Sequence, residues 1–213
     1  MLNPRPLTEE DISVSPLPAN FIISATDGYP LSARLWSRQN TECPNQIALI
    51  SAGAGISMSY YDKFARFLAG NDIPTLLYDY RGIGGSRPKT LRGFVASVED
   101  WGSKDCAGAL NWLTTKYRGA RIVAIGHSVG GFLTGFAQNG NRIERLILVG
   151  AHTGYWRDYA QPYQGAMYFL WHMLMPVVTQ VVGYFPGRRL NLMNDLPSGV
   201  AFEPSRHSAD VKL

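Results

Sequence analysis

Residues 122–133 read IVAIGHSVGGFL. The apolar run stops at Gly126-His127-Ser128-Val129-Gly130-Gly131 and resumes at once with Phe132 and Leu133. A short apolar run closed by glycine is the signature of a buried strand, and periodic apolar residues after it open a helix. A serine at so sharp a strand-to-helix turn must take a strained backbone conformation. That is tolerable only where the residues two before and two after carry no side chain to clash. Gly126 and Gly130 meet this need, and Gly131 adds room. The turn lifts the serine hydroxyl above the sheet edge, which makes Ser128 the candidate catalytic nucleophile. The N–H of Val129, at the helix start, is expected to face the position where an oxyanion forms, aided by the helix dipole. A second N–H is expected from SAGAG, residues 51–55, with Gly53 the first choice and Ala54 the next.

Further strands lie on both sides of this turn. QIALISAG (46–53), TLLYDY (75–80) and RLILVG (145–150) are short, nearly unbroken apolar runs, suited to strands covered on both faces. Asp27-Gly28 between two alternating runs predicts a hairpin. Tyr61, Phe64 and Leu68 recur at helical spacing until Gly70. Residues 99–117 carry the stripe Cys106, Ala109, Leu110, Leu113 and Tyr117, and a third helix is predicted over about 129–138. Strands alternating with helices predict an α/β fold, a mainly parallel sheet with helices on both faces. After Gly150 the alternation stops, and 151–213 hold no further convincing strand.

YDYRGIGGSRP, residues 78–88, resembles the D-x-R-G-x-G-x-S stretch of the α/β-hydrolase superfamily. GYWRDY and GYFPGRRLNLMNDLPSGVA resemble the cap of a bacterial branch of predicted hydrolases. The resemblance runs from about Asn20 to Ala201. It implies structural roles for Asp79 and Arg81. It also implies serine-nucleophile hydrolysis of an ester, thioester or amide, with no cofactor and no metal. On this reading 1–19 is a flexible lead-in, 20–153 the core, 154–200 a helical cap or lid, and 201–213 a divergent tail. In this superfamily the acid and then the base histidine follow later strands, after the nucleophile. The chain is therefore expected to be a shortened member whose last strands are missing and whose acid and base are not identifiable. The alternative is a non-catalytic binding protein of the same fold, or an inactive truncated product.

The histidines divide by position. His127 shares the turn with Ser128 and should point away from it. His172 sits in an apolar run and is read as pocket wall or core. His207, with Asp195 and Asp210 nearby, has suitable residue types in a tail without strands. His152 lies two residues past 145–150, a strand expected beside 121–126. Adjacent strands are about 4.8 Å apart, so His152 is a candidate surrogate base or pocket wall above Ser128. Residues 155–185 hold nine of the 25 aromatics, which suggests an apolar acyl or alkyl substrate.

Composition excludes several classes. Twenty Lys and Arg are scattered through 213 residues at a net charge of +4, so no nucleic-acid footprint is expected. RGIGGS lacks the Lys-Ser/Thr of a phosphate loop. Two cysteines give neither a disulfide framework nor metal spacing, and the first residues are not a signal peptide, so a cytoplasmic location is expected. The uncharged stretch 165–185 approaches spanning length but contains His172 and Pro176. It is read as a buried or lid-like helical pair broken at Pro176, not a membrane span. The strand 145–150 is expected to form an exposed sheet edge, open to self-association.

Overall fold

Residues 47–50 and 76–78 are apolar throughout, and such strands are stable only when covered on both faces. In the computed structural model, which describes residues 16–38, 43–152 and 154–207, they form the centre of a six-stranded sheet. The strands are β1 (Leu17–Ser24), β2 (Pro30–Ser37), β3 (Gln46–Ser51), β4 (Thr75–Tyr78), β5 (Arg121–His127) and β6 (Ile143–Val149), in the order β1-β2-β4-β3-β5-β6. β1 and β2 form the antiparallel hairpin, β2 pairs antiparallel with β4, and β4, β3, β5 and β6 run parallel. Ile47, Leu49 and Leu76 are fully buried. Each such side chain stabilises the fold by roughly 1.5–3 kcal/mol.

Three helices connect the strands: α1 (Asp62–Gly70), α2 (98–116) and α3 (Gly130–Phe136). Ser97 starts α2 with a capping box. Its Oγ accepts the Asp100 N–H at 3.0 Å, and the Asp100 carboxylate accepts the Ser97 N–H at 2.9 Å. α2 includes a π-helical turn, Trp101–Cys106, and buries Trp101, Cys106, Leu110 and Leu113. Burial pushes the Cys106 thiol up to about 11, so it behaves as a core residue. The expected face of α1 differs. Ala65 and Ala69 turn inward, whereas Phe64 is 43% exposed, because close packing on the sheet leaves room only for small side chains.

Register places the functional loops together. Ser51 pairs with Gly126 and His127 with Val149, so the loop after β3, the turn after β5 and the segment after β6 leave one sheet edge side by side. Among the described residues β6 pairs only with β5, and Leu146, Ile147, Leu148 and Val149 are all exposed.

Buried charge ties the loops to this frame. Asp79 accepts the N–H groups of Met58 (2.7 Å) and Gly85 (2.8 Å). The Arg81 guanidinium donates to Asp27 with both NH groups at 2.8 Å and, through Nε, to Asp105 at 2.7 Å. The hydrogen bond from Arg81 lowers Asp27 from 3.8 to about 2. Burial, opposed by the same guanidinium, pushes Asp105 up to about 6. The two acids then act in separate windows. A depressed carboxylate adds stability above its unfolded pKa, so the Asp27 contribution is lost as pH falls from about 4 to about 2. The raised Asp105 works the other way, its cost easing as pH falls from about 6 to about 4. Asp27→Asn is expected to lower the urea midpoint near neutral pH and to match the unsubstituted protein near pH 2. A difference that stays constant over that range would refute the assignment.

Several boundaries need correction. β1 begins at Leu17, so the sheet starts inside the stretch read as lead-in; residues 1–15 lie outside the described residues. Tyr163–Val182 is one continuous helix, α4, not a pair broken at Pro176. Proline lacks an N–H and crowds the carbonyl four residues back. The π-helical turn Leu170–Leu174 loosens the ladder just where that conflict falls. The helix ends at Gly183 (φ +88°), whose N–H bonds Thr179 O at 2.8 Å. It is also mostly exposed rather than buried. Its mean hydropathy is 1.3 and only 11% of the window is buried, so by length and composition alone it is one weak candidate for a span. Past Gly150 two short strands do occur, β7 (Tyr184–Phe185) and β8 (Leu196–Pro197), paired antiparallel. The stretch read as tail is helical at its start. Helix α5 (Ser198–His207) runs through it and buries Val200 and Ala201.

Candidate active site

Ser128 stands between β5 and α3 with φ +54°, in the left-handed region that a side chain normally avoids. Two bonds hold it there: its N–H donates to Val149 O and its carbonyl accepts the Gly131 N–H, both at 3.0 Å. The flanking glycines are steric requirements. A Cβ on Gly126 would lie 2.4 Å from Gly131 Cα, and one on Gly130 would lie 2.2 Å from Ser51 O. The strand–turn–helix inferred from the sequence is therefore held by backbone packed against backbone.

A cavity of about 320 Å³ opens over this serine. Gly53, Ala54, His127, Val129 and His152 border it on the sheet side, and Tyr159, Trp171 and Met175 come from the cap. Its size and largely apolar wall suit a small organic ligand. Two of the cap aromatics thus reach the cavity. Tyr163, Tyr168 and Phe169 are exposed instead.

The two expected oxyanion donors differ. Among the described residues the N–H of Val129 makes no backbone or side-chain hydrogen bond. Gly53 is not free: its N–H donates to the Tyr61 hydroxyl at 3.1 Å. Ala54, one residue on, also lines the cavity.

His152 Nε2 lies 3.5 Å from Ser128 Oγ, the outer limit of a hydrogen bond. Its Nδ1 accepts the Gly154 N–H at 3.0 Å. A neutral imidazole carrying an acceptor at Nδ1 bears its proton on Nε2. His152 therefore presents a hydrogen to Ser128, not a lone pair. The ring also rests edge-on against Tyr159, with centroids 5.2 Å apart.

His127 turns from Ser128, and its Nδ1 lies 2.7 Å from the Tyr61 hydroxyl. His172 packs on Tyr168 at 4.8 Å and does not line the cavity. Asp195 is engaged elsewhere. It accepts the Arg188 N–H at 3.0 Å and pairs with Arg87 at 2.8 Å. His207 ends α5, and Asp210 lies outside the described residues. Sequence reasoning missed two residues. Tyr61 sits on what reads as an ordinary helical stripe. Glu203, the one carboxylate lining the cavity among the described residues, accepts the Val98 N–H at 3.3 Å and falls in the stretch read as tail.

The pattern that defines the family described as serine aminopeptidase, S33, matches residues 42–199. The chain belongs to this family. It is 28% identical over 99 residues to acylamino-acid-releasing enzyme 2 of Oryza sativa subsp. japonica, a match covering 46% of this chain and 13% of that enzyme's length. Among solved structures, the α/β hydrolase GrgF from Penicillium sp. sh18 aligns with a TM-score of 0.60 at 16% identity, covering 89% of this chain and 73% of that one. XC6422 from Xanthomonas campestris, described as an a/b serine hydrolase without lid, aligns with a TM-score of 0.52 at 15% identity, covering 64% and 62%. The fold is that of the α/β hydrolases, as the resemblance of residues 78–88 implied, and the family is of serine hydrolase type.

Proposed function

We propose that Ser128 is an acyl-accepting nucleophile toward an ester, thioester or amide with an apolar acyl or alkyl group. The observation that carries this reading is Ser128 at φ +54° on the floor of an apolar cavity. In the step proposed, Oγ bonds the substrate carbonyl carbon, the carbonyl oxygen becomes an oxyanion, and the N–H groups of Val129 and Ala54 hold it. The leaving group then departs with the proton given up by the Ser128 hydroxyl; water next adds to the acyl carbon, frees the acid and returns a proton to Oγ. The hydroxyl proton is the weak point. An imidazole base needs a lone pair toward Oγ and an acceptor on its far nitrogen to stabilise the imidazolium. At His152 both are reversed, so it serves this chain as a cavity wall and hydrogen donor. Acylation is accordingly slow, carried by the oxyanion pocket and by binding, which alone retain about 10³- to 10⁴-fold over water in serine hydrolases.

The His152 tautomer also favours a second reading, in which the cavity binds an apolar ligand without turnover. A fluorophosphonate probe separates the two. Slow labelling mapped to Ser128, lost in Ser128→Ala and changed less than about threefold in His152→Ala, is the expected result. No labelling at saturating probe would leave the binding reading, and labelling as fast as in an intact triad would mean that a base had been overlooked.

A further inference from the structure

One phenol oxygen joins the two arms of the cavity. Tyr61 closes the 3-10 turn Met58–Tyr61, with its ring buried. Its oxygen accepts the Gly53 N–H at 3.1 Å and stands 2.7 Å from His127 Nδ1. Gly53 follows β3, whereas His127 is the last residue of β5 and directly precedes Ser128. The packing here is close: a Cβ on Gly53 would lie 3.1 Å from His127 Nδ1.

Hydrogen counting favours one set of roles. A phenol has one hydrogen to give. The oxygen already accepts from Gly53, and among the described residues His127 Nδ1 is the one acceptor beside it. Giving that hydrogen to Nδ1 satisfies both groups, and a neutral His127 ring then carries its own proton on Nε2. His127 borders the cavity.

We infer that Tyr61 is a positioning residue: through one oxygen it sets the β3 loop that carries Ala54 against the turn that carries Ser128, and it holds His127 as an Nε2–H donor on the cavity wall. The inference rests on the reading of Ser128 as nucleophile. The physical basis is preorganisation. An oxyanion pocket stabilises charge only if its donors are already in place, and Ala54 and Val129 belong to loops from different strands. The 3.1 and 2.7 Å bonds to one oxygen tie those loops to each other. Without the oxygen, the Gly53 N–H is left unpaired in a buried site, and the loop gains reason to turn.

Tyr61→Phe keeps the ring and removes the oxygen. Two measurements test the inference. The first is the nitrogen chemical shifts of the His127 imidazole, assigned with His127→Gln. The unsubstituted protein is expected to show the Nε2–H tautomer alone, and Tyr61→Phe a mixture. The second is fluorophosphonate labelling of Ser128. The maximal labelling rate is expected to fall roughly 10- to 100-fold in Tyr61→Phe while the half-saturating probe concentration stays unchanged. A structural loss alone would not confine its effect to the chemical step. An Nδ1–H tautomer in the unsubstituted protein, or an unchanged maximal rate in Tyr61→Phe, overturns the inference. If Ser128 of the unsubstituted protein takes no probe, the nucleophile reading fails, and the tautomer result decides the role of Tyr61 by itself.

Discussion

Gly130→Ala is expected to unfold the nucleophile turn and to destabilise the protein by about 3 kcal/mol or more. The added Cβ would lie 2.2 Å from Ser51 O and 2.6 Å from Ala52 O. Both atoms are backbone at the end of β3, which is paired on each side by β4 and β5. No rotamer can relieve the contact. Either α3 moves off the sheet, taking the Val129 N–H with it, or β3 shifts and disturbs the loop with Ala54. For a chain of this size the expected fall in Tm is roughly 6–12 °C. Gly135→Ala is the matching control. It lies in the same helix with nothing within 4 Å of its Cβ position. There alanine removes the helix penalty of glycine, and a gain of about 0.5–1 kcal/mol is expected. Thermal melts of both variants decide the matter; equal and small shifts would mean that the turn is not tightly packed.

Gly126 and Gly130 also mark what was legible in the sequence. The strand-to-helix turn requires small residues at fixed offsets from Ser128, and only local geometry enters, so a linear reading finds it. The apolar runs at 47–50 and 76–78 announce central strands for the same reason. Non-local partners are another matter. That the Gly53 N–H is taken depends on Tyr61, eight residues on, folding back as a 3-10 turn. That His152 faces Ser128 with a hydrogen depends on one backbone N–H, that of Gly154. Neither bond has a compositional signal. Pro176 suggests a break because proline costs an ordinary helix about 3 kcal/mol, but a π-helical turn upstream removes the conflict. Residues 201–213 read as a polar tail, yet α5 enters them with Ala201 fully buried.

Ser128→Cys is expected to raise the rate of acylation, by roughly tenfold or more near neutral pH. This is the reverse of what the same exchange does where a complete base is present. The argument turns on the proton. A serine hydroxyl stays protonated unless a neighbour takes its hydrogen in the transition state, and His152 offers Nε2–H, with Nδ1 already accepting from Gly154 at 3.0 Å. A thiol avoids the difficulty, because a few per cent is thiolate at neutral pH and the thiolate is intrinsically nucleophilic. The donors proposed for the oxyanion, Val129 and Ala54, are backbone groups and are untouched by the exchange. The burst of p-nitrophenol from p-nitrophenyl butyrate, followed with the mass of the acylated chain, measures the step directly. The cysteine variant should also gain rate as pH rises through the ordinary thiol range near 8.5, where the serine form lacks that titration. A slower burst in Ser128→Cys, together with loss of the serine burst in His152→Ala, would show that His152 changes tautomer during the reaction and serves as the base. The Gly154 hydrogen bond would then be the resting-state contact that turnover breaks.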